Sequence, residues 1–90
     1  MREWNEKRGL RVLQRIANNN PIVRFLFEEM HRQKIHQADM AERMGYHEDT
    51  IRKWRSNHMP RINDLMDCFS YLGYDLTVVK KYRKGHKDDT

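Results

Sequence analysis

The stretch Gln37–Trp54 constrains this chain more than any other. It reads QADMAERMGYHEDTIRKW, with apolar residues at Met40, Ala41, Met44, Tyr46, Ile51 and Trp54. That spacing predicts a helix over Gln37–Met44, a tight turn and a second helix over Glu48–Asn57. Gly45 stands where the first helix must end, at a position suited to positive φ. The small Ala41 lets the second helix approach closely. Ile51 and Trp54 are three apart and so share one face of that second helix, while Glu48, Asp49, Arg52 and Lys53 take the other. A bracing helix followed by one that presents polar side chains is the build of a helix-turn-helix unit, whose second helix enters the DNA major groove.

Ninety residues allow one small domain with a modest core, so a second chain would help to stabilise it. The formal charge of +5 suits a polyanionic partner, although many soluble proteins are mildly basic without one. Cys68 is the only cysteine, which excludes an intrachain disulfide and a CxxC zinc site. No apolar run is long enough to span a membrane and no signal-peptide core is present, so a reducing cytoplasm is the expected compartment. The five histidines form no HExxH or Cys/His cluster, and no metal or cofactor is expected. No nucleophile, base and orienting group occur at a spacing that indicates an enzyme.

Four segments are expected. Residues 1–20 form an N-terminal helical extension, with Leu10, Leu13 and Ile16 or Ala17 at helical spacing until Asn18-Asn19-Asn20 breaks it. Residues 21–73 form the helix-turn-helix domain, with the motif at 37–57. Asn20 caps its first helix and Pro21 occupies the first helical position. Ile22, Phe25, Leu26 and Met30 make the predicted core stripe there, leaving Phe27 partly off it. After a loop closed by Pro60, a helix over Ile62–Leu72 carries a stripe of Ile62, Leu65, Met66, Phe69 and Leu72, and Gly73 caps it. Met40, Met44, Met59 and Met66 read as core filler.

Residues 74–80 change character. Tyr74–Val79 alternates and is β-branched, which predicts one strand. A lone strand needs a partner for its backbone groups. The simplest is the same strand of a second copy, making Tyr74, Leu76, Val78 and Val79 the dimer interface; docking along the chain's own helices is the other possibility. Residues 81–90 are expected to be a basic, flexible tail.

Residues Pro21–Leu72 resemble the Cro/C1-type (XRE-like) helix-turn-helix regulators of phage and bacteria. The resemblance rests on Gln37, Met40-Ala41, Met44-Gly45, Thr50-Ile51 and Trp54, followed by Pro60, Leu65 and Leu72-Gly73. It implies an all-α, lambda-repressor-like five-helix domain, with the C-terminal strand paired across a homodimer. It also implies a sequence-specific double-stranded DNA-binding regulator of transcription. Some positions depart from the family pattern. Arg55 stands where a glutamate commonly pairs with an arginine of the first helix, and Met30 stands at that arginine's place. Asn57 replaces a glycine, for which left-handed geometry is expected. His36 and His47 replace Ser, Thr or Asn at helix starts, where a neutral imidazole can accept from helix N–H groups.

The expected base-contacting residues are His47, Glu48, Asp49, Arg52 and Lys53. Arg52 and Lys53 can donate to guanine, and Glu48 or Asp49 can accept from cytosine; the two acids also suit a helix N-terminus on dipole grounds alone. The resemblance gives Gln37 a phosphate at its helix start. Ser56, Asn57 and His58 could hold the DNA backbone from the next loop. Gln37–Asn57 holds four basic and four acidic residues, so the reading unit has no net charge. Residues 1–20 and 80–90 carry +3 each. One or both flanks are therefore expected to form a salt-sensitive arm on the DNA backbone, with Lys80, Lys81, Arg83, Lys84 and Lys87 the stronger candidate; a merely solubilising tail is the other possibility. Trp54 is expected in the core, whereas Trp4 either anchors the N-terminal segment or faces a partner. A second functional reading stays open: an antitoxin-like or adaptor module that holds a partner protein, supported by the additional N-terminal helix and the neutral recognition unit.

Overall fold

A computed structural model describes residues 2–81. Among them the chain is all-helical, with five helices: α1 (Glu6–Gln14), α2 (Pro21–Arg32), α3 (Gln37–Met44), α4 (Glu48–Ser56) and α5 (Ile62–Tyr71). Helix α1 packs on α2, α2 on α4, and α3 on both α4 and α5.

Local chemistry sets most helix ends. Asn5 Oδ1 accepts from Arg8 N at 3.0 Å to cap α1. Asn20 Oδ1 accepts from Ile22 N and Val23 N, and Pro21 follows at the position where a missing N–H costs nothing. Gly45 closes α3 with φ 80°, allowing Tyr46 N to reach back to Ala41 O at 2.7 Å. Gly73 does the same after α5 with φ 97°, and Tyr74 N donates to Phe69 O at 2.8 Å. Helix α2 ends in this geometry without a glycine: Lys34 takes φ 60° while Ile35 N donates to Met30 O.

The core gathers Val23, Leu26, Phe27 and Met30 of α2, Met40 and Ala41 of α3, Ile51 and Trp54 of α4, and Leu65, Cys68 and Phe69 of α5. Leu72 joins them just beyond α5. Burial pushes the Cys68 thiol up to about 12. Two expected stripes are rotated. In α2, Phe27 is buried while Ile22 and Phe25 are exposed; in α5, Cys68 is buried while Ile62 and Met66 are exposed. Both the expected and the observed sets follow helical spacing. The choice between them falls to the neighbours: Phe27 shares a cavity wall with Gly9, Val12 and Leu13 of α1, and Phe25 instead stacks on Phe69 at 6.0 Å. Helix α1 stops at Gln14, earlier than the asparagine run, and Leu10 lies exposed. Ile16 is buried after the helix has ended. Met40 is fully buried, but Met59 is exposed in the loop and is not core filler.

No strand occurs among the described residues. Beyond Gly73, Tyr74 and Leu76 lie half-buried against the chain's own core, while Val78 and Val79 are exposed. Tyr74 is held by Phe25 and Phe69 edge-on, and its hydroxyl accepts from Arg32 Nη2 at 3.0 Å. A strand here would need a ladder partner, and none occurs among the described residues.

Candidate nucleic-acid interface

The α3–α4 pair puts the expected reading residues on one accessible face. Ile51 and Trp54 pin α4 to the core, and Tyr46 meets Trp54 edge-on at 5.8 Å. The Tyr46 hydroxyl donates to Asp64 Oδ1 at 2.8 Å, tying the turn to α5; burial, then that bond, raises the Tyr46 pKa above its ordinary value. Opposite the anchored side, His47, Asp49, Arg52 and Lys53 are exposed and Glu48 is half-exposed.

These side chains engage one another. His47 caps α4, its Nδ1 accepting from Asp49 N at 3.1 Å. Arg52 Nη1 donates to Asp49 Oδ1 at 2.5 Å, and its Nη2 lies 3.7 Å from Glu48 Oε2. The exposed face of α4 is thus neutral locally, as the whole 37–57 segment is in sum. At the far end of α4 the balance reverses: burial, then the like charges of Arg52 and Arg15, lowers the pKa of Arg55. Arg55 Nη1 also reaches Gln37 Oε1 at 3.5 Å, linking α4 to the start of α3.

The two histidine caps divide. His47 caps as expected, whereas His36 makes no cap bond to α3. Its Nε2 instead accepts from Asn5 N at 3.0 Å, because the N-terminal segment lies over it. Asn57 departs from expectation too. It takes φ −159° and ψ −9°, outside the left-handed region, so no left-handed position exists for it to fill.

Ser56, the last residue of α4, and Asn57 and His58 in the loop beyond it are exposed. Gln37 is half-buried at the start of α3, beside a groove of about 270 Å³ that Arg2, Arg8 and Glu48 also line. Part of the basic N-terminal segment therefore lies next to the motif. Arg2 is committed elsewhere, however, donating to Asp39 Oδ1 at 2.8 Å and to Glu42 Oε1 at 3.1 Å. Lys80 and Lys81 are exposed; Arg83, Lys84 and Lys87 lie outside the described residues.

One contributor was not legible beforehand. Asn18 is buried, and its Nδ2 donates to Trp54 O at 3.0 Å and to His58 O at 3.2 Å. Ala17 N and Asn18 N both donate to Arg55 O. The linker before α2 thus satisfies carbonyls that the last turn of α4 leaves open. In the sequence the asparagine run signals only a helix break; its long-range partners leave no local mark.

Among the described residues no helix is long and apolar enough to cross a membrane. Comparison with protein-family models, curated proteins and solved structures finds no match to this chain.

Proposed function

We propose that this protein is a sequence-specific double-stranded DNA-binding regulator of transcription, built as a Cro/C1-type five-helix domain and acting from the cytoplasm as a homodimer. The observation that carries the reading is the division of α4: Ile51 and Trp54 are buried, while His47, Asp49, Arg52 and Lys53 project from the other side. A helix so anchored and so exposed can enter a major groove without disturbing the core. Arg52 and Lys53 donate to guanine edges, and Glu48 or Asp49 accepts from cytosine. Gln37, Ser56 at the end of α4, and Asn57 and His58 beyond it contact phosphates. A second copy joins through residues 74–80, where Val78 and Val79 remain uncovered. Two recognition helices then fall about one DNA turn apart, which calls for a near-palindromic site.

Selection from a random-duplex pool tests the reading. A recurring, near-palindromic sequence is the expected result. If anisotropy at low salt detects no binding to any duplex, the regulator reading fails and the protein-interaction module takes its place. The basic arm is tested separately: deleting Lys80–Thr90 should lower the magnitude of the salt slope of DNA binding, and an unchanged slope removes the arm from the account.

A further inference from the structure

The recognition face spends its one arginine on its own acid. Asp49 Oδ1 holds Arg52 Nη1 at 2.5 Å, with Glu48 Oε2 3.7 Å from Nη2 on the other side. We propose that Asp49 is a specificity-setting residue, which occupies Arg52 until a duplex offers base partners to both side chains. This rests on the reading above that α4 enters the major groove.

A phosphate is an acceptor only. One that draws Arg52 to itself loosens the bond to Asp49, and the carboxylate then faces a polyanion that offers it no donor. A base pair with both kinds of edge can relieve both groups. Guanine O6 and N7 accept from the guanidinium, while an amino group, cytosine N4 above all, donates to the carboxylate. Asp49 thus penalises sequence-independent contact and spares the specific one, which is discrimination by rejecting the wrong partner as well as by attracting the right one.

The surroundings agree with this role. Asp49 and Arg52 are both about half exposed, and an exposed pair of this kind contributes little to folding. Its main effect therefore falls on whatever approaches the helix. His47 does not displace the pair: its Nδ1 accepts from Asp49 N and lies 3.5 Å from Oδ2, leaving Oδ1 to Arg52. Arg55, the next arginine along, turns toward Gln37 and does not compete for Asp49.

The test uses full-length wild type, Asp49→Ala and Asp49→Glu, with two probes: a random-sequence duplex, and a duplex that the wild type selects from a random pool. Circular dichroism checks that each variant folds. Asp49→Ala should bind the random duplex more tightly than wild type. Its preference for the selected duplex should fall about tenfold, the scale of one base contact. Asp49→Glu keeps the charge and should keep random-duplex binding as weak as in wild type. An unchanged preference in Asp49→Ala, or Asp49→Glu behaving as Asp49→Ala, overturns the role of Asp49 while leaving DNA binding standing. A wild type that binds neither probe, or that selects no sequence, overturns the DNA-binding reading and this proposal with it.

Discussion

The Trp4 indole lies flat on the His36 imidazole, with ring centroids 4.5 Å apart and planes 18° from parallel. His31 meets the same indole edge-on at 5.4 Å. Asn5 N donates to His36 Nε2, and Arg2 pairs with buried Asp39. The N-terminal segment is therefore fastened to the start of α3, the helix that packs on α4. Trp4 anchors its own chain, which resolves its two readings.

Gly9 makes this packing possible and gives the first prediction. In an exposed helix, glycine to alanine stabilises by about 1 kcal/mol. Here a Cβ on Gly9 would overlap the Trp4 ring and crowd His31 Nδ1. Gly9→Ala should therefore destabilise the protein and displace Trp4. Urea unfolding and tryptophan fluorescence check this; a gain in stability would show that the indole is not held there.

Asn18→Ala should cost about 1–3 kcal/mol, since it leaves the Trp54 and His58 carbonyls without that donor. The exposed neighbour Asn19 supplies the control, and Asn19→Ala should change stability by less than about 0.5 kcal/mol. Equal effects at the two positions in chemical denaturation would count against the assigned bonds.

Lys34 holds φ 60° at the end of α2, a conformation that costs a side chain about 1–2 kcal/mol relative to glycine. Lys34→Gly should raise stability, by less than that figure because glycine also loses more entropy on folding. Melting temperatures of the two proteins at equal concentration check the sign.

Glu29 predicts a pH dependence. The Gln33 amide, followed by Arg32, holds its carboxyl below the ordinary carboxylate value. A lowered folded-state value means that this stabilisation is complete above the ordinary value, about pH 4.3, and is lost as pH falls through the folded one. Wild type should therefore be more stable than Glu29→Gln at pH 7, with the gap closing under acid. A gap that stays constant down to pH 2.5 in thermal melts would contradict the assignment.

What was legible in the sequence is what short-range chemistry controls. Asn20-Pro21, Gly45 and Gly73 set helix ends through the φ values and donors their own residues supply, and Gln37–Met44 is the helix expected. The division of α4 was equally legible, because Ile51 and Trp54 leave one consistent buried face. The tertiary structure decided between stripes that periodicity alone cannot rank, burying Phe27 over Phe25 and Cys68 over Met66. It also decided the long-range partners: Trp4 with His36, Arg2 with Asp39, Asn18 with the end of α4, and Tyr74 with the core in place of a strand within this chain. A residue's helical position is fixed by its near neighbours. The element that covers it is fixed only when the whole chain packs, and no local pattern carries that information.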